Sequence, residues 1–148
     1  MEIEMAHLIH SVLPMPPRKI IFIKPDDTVK KCIDVMAESN IGALVVLDND
    51  DKLIGIVSER DILFSCLHKG FDIKTATAAD VVYTKVTVLS PHDVVEKAMQ
   101  AMTDTKRRHI LIREKDEFIA ILSIGDLLYH LLEDRAKTIE HLENYIHT

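Results

Sequence analysis

Four glycines in 148 residues leave no material for a GxGxxG or GxxxxGK loop, so phosphate binding of the Rossmann or P-loop kind is excluded. The two cysteines, Cys32 and Cys66, form no CxxC pair and read as small packing residues, not as a disulfide or a metal site. No apolar run approaches the roughly 18 residues of a membrane span. The opening MEIEMAHLIH carries two glutamates and lacks a basic stretch ahead of an apolar one, so no secretory signal is expected. A formal charge of −6 argues against a sequence-indifferent nucleic-acid binder, whose affinity comes from cations that displace counterions from phosphates. These absences point to a cytoplasmic chain with neither a membrane nor a nucleic acid as partner.

What is present is a repeat. Residues 25–46, PDDTVKKCIDVMAESNIGALVV, lie over residues 91–112, PHDVVEKAMQAMTDTKRRHILI, at an offset of 66, with Pro25/Pro91, Asp27/Asp93, Val29/Val95, Lys31/Lys97 and Met36/Met102 identical. The offset then falls to 65, setting LIGIVSERDIL (53–63) over FIAILSIGDLL (118–128), with Ile56/Ile121, Ser58/Ser123 and Asp61/Asp126 among the identities. The lost residue falls in the polar connection, DNDDK in the first copy and EKDE in the second, where a hairpin tolerates a change of length.

Each copy reads as β-α-β-β-α. Ile20–Ile23 and Val86–Leu89 are short β-branched runs ended by Lys-Pro and Ser-Pro, and proline disfavours helix at the residue before it. Asp27 and Asp93 are N-cap candidates for helices whose apolar positions are Val29, Cys32, Ile33, Met36 and Val95, Ala98, Met99, Met102. Strands Ala43–Leu47 and Ile110–Ile112 pair with Leu53–Val57 and Phe118–Leu122, and Ser58 and Ser123 cap the helices that follow. Residues 5–13 and 75–83 form equivalent lead-ins. A long C-terminal helix runs from Asp126 to about Ile146, with an apolar stripe Leu128, Leu132, Ile139, Leu142, Ile146 interrupted at Arg135.

Ser58 with Asp61, and Ser123 with Asp126, place a hydroxyl at an N-cap and a carboxylate one turn in. The pair offers acceptors for ribose hydroxyls beside backbone N–H groups that favour anions, and equally it makes an ordinary cap with a first-turn acid. Lys106-Arg107-Arg108-His109 is a phosphate clamp or a solvated helix end, and Arg60 is a further phosphate candidate or a surface side chain. His7 and His10, three apart, could share a helix face, but no third ligand is spaced near them and they read as surface histidines, with the other histidines scattered. No nucleophile, base or metal constellation marks an enzyme.

The strand ending in proline, the helix ending in methionine, IGALVVLD and GIVSERDIL, followed by RRHILI and AILSIGDLL, resemble a tandem pair of cystathionine-β-synthase (CBS) domains, over roughly residues 8–133. The resemblance implies an α/β (α+β) fold in which units 8–68 and 75–133 form one pseudo-two-fold disc, with 134–148 as a helical extension. It implies clefts between the units that take adenine nucleotides (AMP, ADP, ATP or NAD(H)) as regulatory ligands, with no cofactor required, a homodimer, and an effector protein that reads conformation. Family practice puts phosphate-binding basic residues at Arg108 and His109, beside Arg107, where the first copy has Ile41, Gly42 and Ala43. It puts a ribose or base contact at Thr77, matched in the first copy only by Ser11, while Pro16 stands where Val82 does. Ala120 replaces the glycine represented by Gly55. The cleft completed by Thr77, Ser123 and Asp126 is the one expected to be filled, and the two clefts should not be equivalent. The competing reading is a scaffold with empty clefts whose C-terminal helix is the working surface.

Overall fold

The computed structural model describes residues 7–16 and 18–147, with side chains in the last helix described to Ala136 and again at Ile139, Glu140 and Glu143. Met5 and Ala6 of the first lead-in, and the side chains of Leu142 and Ile146, lie outside the described residues. The chain packs as two compact units, one holding the segment that ends at Arg18 together with everything from Thr87 onward, the other holding Lys19–Val86.

In the Lys19–Val86 unit, strand β1 (Phe22–Ile23) lies parallel to β2 (Ala43–Leu47), with helix α1 (Val29–Ser39) as the crossover, and β3 (Leu53–Ser58) returns antiparallel to β2. Helix α2 (Glu59–Leu63) continues into a single π-type turn, and a short helix α3 (Ala78–Val81) follows. The other unit repeats the plan: β4 (Val88–Leu89) is parallel to β5 (His109–Glu114) across helix α4 (Val95–Thr105), β6 (Glu117–Ser123) is antiparallel to β5, and α5 (Ile124–His147) follows. Both hairpins shift register at the same repeat position, between Val46 and Leu47 and between Ile112 and Arg113. The central strands are buried on both faces over Ala43–Val46 and Ile110–Ile112, which explains why these stretches are continuously apolar and do not alternate.

Packed units and sequence repeats are cut differently. The lead-in before the first copy forms a 3-10 turn, Ile9–Val12, that packs with Leu89, Val95, Ala98 and Leu122 of the second copy. The Ile9 and His10 amides donate to the carbonyls of Asp93 and Pro91. The lead-in before the second copy, with Ala76, Ala78 and Val81, packs with Val29, Cys32 and Leu44 of the first.

Cys32 is fully buried in α1, and burial pushes its thiol up to about 11, so it behaves as the packing residue its sequence position indicates. The expected caps of α1 and α4 need correction. Thr28, not Asp27, is the N-cap, its hydroxyl accepting from the Lys31 amide at 3.1 Å, and Val94 stands at the N-cap of α4 with no side-chain bond. Asp27 and Asp93 sit one residue too early for a cap. Their carboxylates instead accept from the amides of Lys24 (2.9 Å) and Ser90 (2.8 Å) and pair with Lys31 and Lys97 one helical turn on.

The Ser90 amide, with Lys97 behind it, holds the Asp93 carboxyl below its ordinary 3.8. A carboxyl more acidic in the folded than in the unfolded chain stabilises fully above the unfolded value and loses that contribution as pH falls through the folded one. Asp93→Asn should therefore lower the denaturation midpoint at pH 7, and the gap from wild type should close as the pH falls below about 4. An undiminished gap at low pH would show that the carboxylate charge is not what matters.

Candidate functional site

The two Ser-x-x-Asp turns form where β3 and β6 run into helices. At the first, the Ser58 amide and hydroxyl donate to Asp61 Oδ2 at 3.0 and 2.8 Å, and the Asp61 amide donates back to Ser58 Oγ at 3.3 Å. At the second, the Ser123 amide donates to Asp126 Oδ2 at 2.9 Å and the Asp126 amide to Ser123 Oγ at 3.2 Å. Both are reciprocal caps, so the ordinary role of the motif is fulfilled in each copy. Each turn is also tied to the strand entering the sheet beside it: the Glu59 amide donates to the Gly42 carbonyl at 3.0 Å, and the Ile124 amide to the Arg108 carbonyl at 2.9 Å.

That shared bond fixes what stands next to each carboxylate. In the second copy it is the cationic run. Helix α4 ends at Lys106 in the left-handed region (φ 56°), the amides of Lys106 and Arg107 close on the Met102 carbonyl, and the chain passes through an exposed Arg108 into β5 at His109. In the first copy Gly42 occupies the place of Arg108 and faces an acid, with the Glu59 carboxylate 3.5 Å from where a Cβ on Gly42 would sit. An anionic ligand group is attracted to the second arrangement and repelled by the first.

Sequence reading missed Arg18. Its guanidinium donates to both oxygens of Asp126, at 2.6 and 2.5 Å, and the Asp126 side chain is only 13 % exposed. Both bonds come from the single Nη2, a charge-assisted contact on a largely buried carboxylate. Nothing local in PPRK announces it, because the partner lies 108 residues away.

Two cavities adjoin these residues. One, of 150 Å³, is lined by Ser11, Val12, Leu13, Pro14, Asp126, Tyr129, His130 and Glu133, and so joins two of the residues expected at a site. The other, of 390 Å³, lies between α1 and α2 and is lined by apolar Ile33, Met36, Ile62 and Leu63 together with Asn40, Ile41, Gly42 and Glu59. The smaller holds at most part of a nucleotide; the larger is in the range of small-molecule sites.

Ser58, Arg60 and Asp61 thus share a unit with Ile41, Gly42, Ala43, Thr77 and Val82, whereas Ser11, Arg107, Arg108, His109, Ser123 and Asp126 belong to the other. Thr77 makes its own cap, its amide and hydroxyl donating to Asp80 at 2.8 and 3.2 Å, and with Ser90 and Asp93 it is one of two further hydroxyl-x-x-Asp turns that the sequence reading passed over. Arg60 lies over the Phe64 ring, 5.3 Å from its centroid, and Val82 packs against the core of its unit. Gly55 admits the carbonyl of Tyr83 where a side chain would stand, letting Ile56 and Tyr83 exchange amide bonds of 3.0 and 2.9 Å.

Among the described residues no helix is long and apolar enough to cross a membrane. A family model, the CBS domain, matches residues 12–68 and again residues 78–133. The chain is 33% identical over 125 residues to the "CBS domain-containing protein CBSX3, mitochondrial" of Arabidopsis thaliana, covering 82% of this chain and 61% of that one. It is 34% identical over 113 residues to inosine-5'-monophosphate dehydrogenase of Methanocaldococcus jannaschii, covering 75% of this chain and only 21% of that enzyme. The chain thus spans about three fifths of the first relative and about one fifth of the second. Among solved structures, a putative signal-transduction protein with CBS domains from Burkholderia ambifaria MC40-6 superposes with a TM-score of 0.77 at 32% identity, covering 85% of this chain and 92% of that one. With two matches in tandem over most of its length, the chain belongs to the CBS domain family.

Proposed function

We propose that the chain is a regulatory module that binds an adenine nucleotide (AMP, ADP, ATP or NAD(H)) and passes the signal to an effector protein. The observation that carries this reading is the junction in the second copy, where the Ile124 amide on the Arg108 carbonyl sets a cationic run against the Ser123–Asp126 turn. Arg107, Arg108 and His109 supply the charge a phosphate needs, and Ser123 and Asp126 supply acceptors for ribose hydroxyls. Arg18 deepens the reading. Ribose hydroxyls must compete with it for Asp126, and a phosphate offers the released guanidinium a second anionic partner. The first copy, with Gly42 and Glu59 at the matching places, is the poorer anion site.

A homodimer through α5 fits the exposure of Leu128 (52 %), Leu132 (68 %) and Ile139 (55 %), three apolar side chains along one helix. One observation favours the scaffold reading in its place: among the described residues all four hydroxyl-x-x-Asp turns already make internal bonds, Asp126 with Arg18 included. Calorimetric and thermal-shift titration with AMP, ADP, ATP, NAD and NADH separates the two. A specific ligand at 100 times its Kd should stabilise the fold by about 2.7 kcal/mol. Arg18→Ala should tighten adenosine, which has no phosphate to offer the arginine, more than it tightens AMP. A chain that binds none of these ligands is a scaffold.

A further inference from the structure

Two imidazoles and a carboxylate meet where the first described residue approaches the last helix. His7 Nε2 lies 3.2 Å from Asp134 Oδ2, and His130 Nε2 lies 3.3 Å from the same oxygen. The two rings stand edge to face with centroids 4.8 Å apart, and one ligand atom from each of the three residues falls within 4.8 Å of the others. Despite its neighbour, His130 Nε2 is buried and makes no hydrogen bond. A buried imidazole nitrogen left unsatisfied is costly and marks a place where an ion or water belongs.

We infer that His7, His130 and Asp134 form a site for a divalent transition-metal ion of the zinc class. Nitrogen and oxygen ligands at about 2.0–2.1 Å around a tetrahedral ion lie roughly 3.4 Å apart, close to both Nε2 to Oδ2 separations. His130 and Asp134 are one turn apart on α5 and present their ligand atoms on a single helix face. His7 is carried to them by its backbone: its carbonyl accepts the Val95 amide at 2.8 Å, and the Ile9 amide two residues on donates to Asp93. Its side chain is 54 % exposed, so the ring is free to turn the remaining distance toward an ion. Two imidazoles with one carboxylate suit zinc, cobalt or nickel and disfavour magnesium, and three protein ligands leave the fourth position to water or an exogenous ligand. The ion would tie the lead-in to the C-terminal helix within one unit, a cross-link between the two ends of the described chain. His130 also lines the 150 Å³ cavity beside Asp126, but the metal assignment rests on its own three residues and does not depend on the nucleotide reading.

The test is titration of the full chain with zinc, cobalt and magnesium chlorides, followed by calorimetry, with no nucleotide present. One zinc per chain and no magnesium are expected, with cobalt giving the visible absorption of a tetrahedral complex. His7→Gln and His130→Gln should each weaken zinc binding at least tenfold and abolish that absorption, while His92→Gln and His10→Gln leave both unchanged. His7 is exposed, so its variant keeps the test decisive where His130→Gln disturbs folding. Zinc binding and cobalt absorption undiminished in His7→Gln, or no zinc binding by the wild-type chain, would overturn the assignment.

Discussion

Replacing Gly55 with alanine is expected to destabilise the Lys19–Val86 unit by about 3 kcal/mol, the upper end of what an inserted methyl costs in a packed interior. A Cβ on Gly55 meets the carbonyl oxygen of Tyr83 head-on and comes within 2.8 Å of Val82 Cγ2. The obstacle is backbone, not the end of a flexible side chain, so relief requires breaking the paired amides of Ile56 and Tyr83. The φ of this glycine is not the reason; the space is. In the second copy the same position is Ala120, paired with Ile112 and 9 % exposed, and its methyl is already accommodated. Ala120→Gly should accordingly cost about 1–2 kcal/mol, the backbone-entropy loss together with that of one buried methyl. Urea denaturation of the two variants checks this, and equal losses at the two positions would mean that the Tyr83 contact contributes nothing.

Leu127→Ala should cost about 2–5 kcal/mol, whereas Leu128→Ala should change stability by less than about 0.5 kcal/mol. Leu127 is 2 % exposed and packs with the core of its unit, while Leu128 is 52 % exposed. The contrast is sharp because the stripe read from the sequence began at Leu128. A stripe of Leu128, Leu132 and Ile139 is a real apolar face of α5, but among the described residues it is the outer one. The face turned to the unit carries Leu127, His130 and Asp134. Periodicity alone cannot tell which of two adjacent leucines looks inward, since a helix laid on a sheet and a helix offered to a partner share one period. Comparable losses from both substitutions at high dilution would place Leu128 in the core instead.

The repeat was the most legible feature of the chain, because a duplicated unit writes its strands, helices and turns twice and lets each copy check the other. The pairing of Ala43–Leu47 with Leu53–Val57 and of Ile110–Ile112 with Phe118–Leu122, and the Ser58 and Ser123 caps, are read from it and are observed. The N-caps at Asp27 and Asp93 were misplaced because aspartate favours both a cap and the turn before it, and only the observed acceptor geometry separates the two. What the sequence hid was long-range. Arg18 reaches Asp126, and His7 reaches His130 and Asp134, through pairings made only when the first lead-in packs with the second copy. Single residues with no local motif leave no periodic signal, so His7 reads as a surface histidine and nothing in its neighbourhood points to His130 or Asp134.

On the proposed reading, the anion-binding half-site belongs to the second copy. Its most direct test is calorimetric titration of AMP into Asp126→Ala and Asp61→Ala side by side, with circular dichroism to confirm that both are folded. Binding lost with Asp126 and kept with Asp61 is the predicted result. Loss with Asp61 alone, or affinity unchanged in both, would contradict it.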